Sequence, residues 1–205
     1  MSTDGQNTVS GKVIAPAKLA HVVLRTLNLE PMVAFYEEFL GARKSFENKR
    51  AAFLSYDEEH HRLAIIKFPG LKEREKGDVT VGMDHIAFAF NSLDDLVQAY
   101  QQRKMRGIIP FWCVNHGPTT SMYYQDPDGN KIEMQVDNFD TAEEGNAYMA
   151  GPEFAENPIG VDFDPEILAK RLKSEESREI KKRPNIGRRG GESVPRPMKP
   201  VIAGI

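Results

Sequence analysis

Five histidines, His21, His60, His61, His85 and His116, and one glutamate, Glu133, carry most of the chemical possibilities of this chain. Two of them are related by the sequence itself. A shift of 64 residues superposes His21 on His85, Met32 on Leu96, Val33 on Val97 and Tyr36 on Tyr100. Imidazoles at equivalent positions of two modules come together when the modules pair about a pseudo-twofold axis. Glu133 is the third candidate, because the strand that carries it turns a polar face toward the same cleft. Two imidazoles and one carboxylate form the ligand set that suits non-haem iron(II) and leaves coordination positions open. The competing reading, three unrelated polar residues at strand ends, leaves the paired positions unexplained.

Glu133 is positioned by the hairpin YYQDPDGNKIEMQ, residues 123–135. Asp-Pro-Asp-Gly puts Pro127 at the second position of a type I turn and Gly129 where a left-handed residue is needed, which predicts a three-residue loop. Asp126 then faces Asn130, and counting outward sets Tyr123 opposite Glu133. Ser121, Gln125, Lys131 and Gln135 share their face. Met122, Tyr124, Ile132, Met134 and Val136 fall on the other, apolar face.

The same logic extends to the elements around it. KLAHVVLRT reads as a strand, followed by a helix from Pro31 with apolar Met32, Val33, Phe35, Tyr36, Phe39 and Leu40, stopped by Gly41. AAFLSYD and HRLAIIKFP read as a strand pair, and the charged stretch GLKEREKGD as a connecting loop. GMDHIAFAF begins the second half. Ser92 with Asp95 caps a helix bearing Leu93, Leu96, Val97, Tyr100 and Met105, and IIPFWCVN leads into the hairpin. The prediction is an α+β fold of two repeated βαβββ modules, residues 17–70 and 81–137, whose paired sheets enclose a cleft. Residues 1–16 are expected to be flexible, and 138–205 to form a loop-rich C-terminal arm with a short helix near 164–182. Such an arm suits a role over the body or on a partner subunit. A homodimer or higher homo-oligomer is therefore expected, since a single module pair leaves sheet edges exposed.

Composition removes several classes of function. The formal net charge of −3 gives no reason to expect nucleic acid or an anionic membrane as partner. The basic tail KKRPNIGRRGG has no aromatic platform beside it. A single cysteine, Cys113, forms no intramolecular disulfide and suits a reducing compartment. With neither a span-length apolar run nor a signal-peptide pattern, a cytoplasmic location is expected.

The stretch VNHGPTTSMYYQDPDGNKIE, from Val114 through His116, Met122, Tyr123, Asp126, Pro127 and Gly129 to Glu133, resembles the signature of the type I extradiol ring-cleaving dioxygenases of the vicinal oxygen chelate superfamily. The resemblance covers roughly residues 17–137 and implies one vicinal oxygen chelate domain of the single-domain subgroup. It makes His21, His85 and Glu133 the metal ligands, for iron(II) or manganese(II). It makes His116 and Tyr123 groups that hydrogen-bond the substrate. In such enzymes another histidine precedes a Leu-Ala pair, and HHRLA puts His61 there with His60 beside it. A histidine can take a proton from a catechol and return it at neutral pH. The implied reaction is cleavage of a catecholic ring by dioxygen beside its two hydroxyls, giving a ring-opened semialdehyde.

The superfamily also holds glyoxalase-like lyases and isomerases and metal-free antibiotic-binding proteins. A glyoxalase-type site has a fourth protein ligand on the last strand of its first module. HRLAIIKFP offers no Asp, Glu, Gln or His between Arg62 and Pro69. Three protein ligands leave about three octahedral positions, enough for two vicinal oxygens and dioxygen. Phe68, Phe111, Trp112 and Tyr124 are candidates for an aromatic wall, or equally for core.

Overall fold

A computed structural model of the chain describes residues 13–72, 81–174 and 180. The expected flexible start up to residue 12, most of the charged connecting loop and the basic tail lie outside the described residues. The first module contains β1 (Val22–Thr26), α1 (Leu29–Leu40), β2 (Arg43–Glu47), β3 (Ala51–Ser55) and β4 (Leu63–Lys67). The second repeats it with β5 (His85–Phe90), α2 (Leu93–Met105), β6 (Trp112–Asn115), β7 (Thr119–Gln125) and β8 (Lys131–Asp137). In each sheet the first strand runs parallel beside the last, in the orders β1-β4-β3-β2 and β5-β8-β7-β6. The fold is α+β with two βαβββ modules.

Both helices follow from their sequence. α1 begins at Leu29, two residues before the Pro31 start that the sequence suggests, and ends at Gly41, whose φ of 62° supplies the left-handed cap. The Ser92 hydroxyl accepts from the Asp95 amide at 3.0 Å and starts α2. β2 was not separately marked in the sequence, and all five of its residues are exposed.

One apolar cluster joins the two modules. Met32 and Tyr36 are 0% exposed and Phe39 1%, each stabilising the fold by about 1.5–3 kcal/mol through burial. The Tyr36 hydroxyl donates to Asp126 Oδ2 at 2.9 Å, tying α1 to the hairpin turn of the second module. Arg103 of α2 donates to the Phe39 carbonyl, with Nε at 2.9 Å, and so satisfies a carbonyl at the end of α1.

The arm is more structured than a loop-rich reading suggests. It forms α3 (Ala142–Met149), α4 (Pro152–Glu156), β9 (Val161–Asp162) and α5 (Pro165–Arg171). β9 pairs antiparallel with β6 and becomes the fifth strand of the second sheet. Of the stretch 164–182 expected to hold a short helix, α5 occupies Pro165–Arg171, capped by Asp164; it is packed on α2, with Leu168 and Ala169 buried, and residues 175–179 and 181–182 lie outside the described residues. No described helix is long and apolar enough to cross a membrane.

Candidate metal centre

The hairpin register puts Tyr123 opposite Glu133, Gln125 opposite Lys131 and Ser121 opposite Gln135. Gly129, at φ 83°, makes the turn. Met122, Tyr124, Ile132, Met134 and Val136 are all buried against the helices. Glu133 and Tyr123 are also buried, at 5% exposure each, but on the polar face. A carboxylate withdrawn from water to that extent must be compensated by partners.

Its partners come from β5 and β7. Parallel pairing sets Ala87 beside Glu133 and brings His85, two residues earlier, onto the same face. His85 Nε2 lies 2.9 Å from Glu133 Oε2. On its other side, His85 Nδ1 lies 2.9 Å from Asp84 Oδ2, and Lys131 holds Asp84 Oδ1 at 2.8 Å. Those contacts from His85 and Lys131 keep the Asp84 carboxyl below the usual carboxylate range. An imidazole whose Nδ1 is oriented by a carboxylate presents Nε2 as a well-aimed donor. Sequence reading did not single out Asp84, although its position directly before His85 was a signal.

Tyr123 extends the chain of contacts. Its hydroxyl bonds the Glu133 carboxylate, and burial followed by that carboxylate's charge pushes its pKa up, so the phenol stays protonated. The same hydroxyl lies 3.0 Å from His116 Nε2. Trp112 stacks on the Tyr123 ring at 4.7 Å between centroids, and Phe111 lies 6.3 Å from it. Of the four aromatic candidates, Trp112 and Phe111 line this face, Tyr124 is core at 1% exposure and Phe68 is 48% exposed.

The remaining histidines form a second group on the first sheet. Val22 pairs with Leu63, so His21 and His61 sit side by side just ahead of β1 and β4, with ring centroids 4.5 Å apart. His61 also stacks on Phe53 at 5.0 Å and meets His60, Nδ1 to Nδ1, at 2.5 Å. Arg62 fixes this corner by donating to the Leu19 and Ala20 carbonyls at 2.8 and 3.0 Å and to Asp57 at 2.8 Å. Desolvation, then the neighbouring His60 and His21, lower the His61 pKa. Among the described residues, no three His, Cys, Asp or Glu side chains gather in a metal-ligating cluster. His85, Glu133, Tyr123 and His116 are thus brought together, while His21 keeps company with His61 and His60.

The donor chemistry fits a divalent cation. A buried carboxylate oxygen and an imidazole nitrogen face each other at 2.9 Å, with a second carboxylate orienting the ring. A metal ion would be held by this pair in place of their direct contact.

Comparison with known proteins agrees with this architecture. Residues 18–134 match the Glyoxalase/Bleomycin resistance protein/Dioxygenase superfamily. The chain is 46% identical over 159 residues to biphenyl-2,3-diol 1,2-dioxygenase 2 of Rhodococcus globerulus, covering 77% of this chain and 83% of that protein. Biphenyl-2,3-diol 1,2-dioxygenase 3 of the same organism is 46% identical over 157 residues, with the same shares covered. A lactoylglutathione lyase of Neisseria meningitidis is 30% identical over 126 residues, covering 57% of this chain and 88% of that one. Among solved structures, a glyoxylase/bleomycin resistance protein/dioxygenase domain from Frankia sp. EAN1pec has the same fold, with TM-score 0.50 and 16% identity over 60% of this chain and 99% of that one. From the paired βαβββ modules, the polar sheet face and these relatives together, the chain belongs to the Glyoxalase/Bleomycin resistance protein/Dioxygenase superfamily.

Proposed function

We propose that this chain is an extradiol dioxygenase that opens a bicyclic catechol with dioxygen beside its two hydroxyls, leaving a carboxylate at one end of the opened ring and a carbonyl at the other. The observation that carries it is the run of contacts His85, Glu133, Tyr123, His116 on one sheet face. The two Rhodococcus globerulus relatives, named for biphenyl-2,3-diol, support both the activity and an aryl-substituted ring.

His85, Glu133 and His21 would hold iron(II), with manganese(II) as runner-up by the same ligand preferences. Bound there, the metal supplies open positions at which a catechol and dioxygen are held together. The protein supplies order and proton control. His116 and the Tyr123 hydroxyl face the substrate oxygens, with Tyr123 kept neutral and therefore able to donate. Trp112 and Phe111 form the wall that excludes water on one side. His61 lies beside His21, at the right end of its sheet to take the catechol proton and return it.

His21 comes to this site from a second copy of the chain. Within one chain it contacts His61, whereas β1 and β5 are, among the described residues, edge strands of their sheets. A twofold dimer that brings β1 of one copy to β5 of the other forms two equivalent sites.

Purified protein is expected to contain iron, to consume oxygen with 2,3-dihydroxybiphenyl and to release a yellow product. Alanine at His85, Glu133 or His21 should strip most of the metal. Stoichiometric metal in His21→Ala and Glu133→Ala would remove this ligand assignment. Turnover of a thiol adduct without oxygen uptake would favour a lyase.

A further inference from the structure

The C-terminal arm reaches the site through one backbone atom. His116 Nδ1 lies 2.6 Å from the carbonyl oxygen of Ile159. A carbonyl only accepts, so Nδ1 must carry the hydrogen. In the neutral ring, Nε2 is then the nitrogen with a lone pair; the Tyr123 hydroxyl, 3.0 Å away, donates its one hydrogen either to it or to Glu133, and in the second case leaves Nε2 open. The residue that selects this tautomer lies outside the 18–134 stretch that matches the superfamily.

The carbonyl is held in place by several interactions. The buried Asn157 side chain brackets the next residue, accepting from the Gly160 amide and donating to the Gly160 carbonyl, both at 3.0 Å. Gly160 has φ +95°, and a Cβ there would collide with the Asn115 carbonyl and lie 2.7 Å from the His116 Cα. Only glycine lets the two backbones approach so closely. Immediately after it, β9 pairs Val161 with Asn115 and Asp162 with Val114. Asp162 Oδ1 also accepts from Trp112 Nε1 at 2.8 Å, and that indole is the one stacked on Tyr123.

We propose that residues 157–162 form a positioning element of the active site, in which the Ile159 carbonyl holds His116 as its Nδ1–H tautomer and so presents Nε2 as the proton acceptor. A catechol carries two hydroxyl protons: His61 takes one, and His116 Nε2 takes the other while the Nδ1–H remains on Ile159, that proton being returned later to a product oxygen. What the acceptor does rests on the dioxygenase reading. The tautomer does not.

The test uses full-length protein. Imidazole ¹⁵N spectra should show His116 protonated at Nδ1, its signals identified by their loss in His116→Gln. Gly160→Ala should push β9 off and move the population toward the Nε2–H form that free imidazoles favour in water. The same variant should lower kcat roughly 10- to 100-fold, the scale for losing a group that orients a functional imidazole, with KM and metal content unchanged. In a His116→Gln background it should cost nothing further. Asn157→Ala, which removes the bracket without adding bulk, should act in the same direction and covers a Gly160→Ala that fails to fold. An Nε2–H tautomer in the wild type, or Nδ1–H retained in both variants, overturns the proposal. So does a loss carried in KM or in metal content. Absence of catechol turnover in the wild type, with the tautomer still lost in the variants, would strike the functional reading alone and uphold the contact.

Discussion

Tyr123 is the residue on which the site's proton control can be read most simply. Its hydroxyl touches both Glu133 and His116, and its pKa is pushed up by burial and by the neighbouring carboxylate. Tyr123→Phe keeps the ring stacked on Trp112 and removes only the oxygen. It should retain metal and lower kcat by roughly 10²-fold, the scale for losing a proton-transfer group; metal analysis beside steady-state rates checks this. His61→Gln should behave alike, with anaerobic catechol binding intact. If the His61 variant keeps the parent rate and a His60 variant fails, the roles within that pair are reversed. The Cys113 thiol, pushed up to about 12 by burial first and then by nearby Asp164 and Asp162, has no such part to play. Most of this polar cluster was legible before any coordinates, because a strand's two-residue period leaves no choice of face once the turn fixes the register. Ile159 was not, since a backbone carbonyl has no side-chain signature. The company of His21 was not either, because periodicity places a residue on a sheet but says nothing of how two sheets meet.

At the level of elements, turn and cap chemistry was the readable part. Asp-Pro-Asp-Gly fixed the hairpin pairing, and Ser92 marked the start of α2. Replacing Ser92 with alanine should cost about 1 kcal/mol, measured by denaturant unfolding. Elements without a burial pattern went unread: β2 is exposed throughout, and β9 is two residues long. α3 did carry a signal that was passed over, the Thr141 to Glu144 capping box. Docking of α5 on α2 has its own pH dependence. Glu166 accepts from Lys104 Nζ at 2.6 Å and from the Tyr100 hydroxyl at 2.5 Å, and these hold its carboxyl below the usual range. A depressed folded-state pKa contributes stability that is present above the unfolded value, about 4.3, and is lost as pH falls through the folded one. Wild-type stability should therefore drop more steeply than that of Glu166→Gln between roughly pH 5 and pH 3. Parallel acid titrations of the two would refute this.

For the molecule as a whole, the division of histidines between two sheets invites a subunit-mixing experiment. His21→Ala and Glu133→Ala chains, co-expressed with different tags, form hybrid dimers. If the site is shared, each hybrid has one intact ligand set and one lacking both residues, and iron should return to about half the sites. Hybrids as empty as either parent would place all three ligands within one chain. The Ile159 contact has a further consequence, in time. Its carbonyl is 43 residues downstream of the imidazole it holds. At a synthesis rate of 5–20 residues per second, His116 leaves the ribosome roughly 2 to 9 seconds before its partner does. Both βαβββ modules can form in that interval with the ring free to take either tautomer. A nascent chain stalled with Asp137 outside the ribosome and residue 159 still inside it would thus display a folded body whose His116 tautomer is not yet set, and the arm's arrival is the step that sets it.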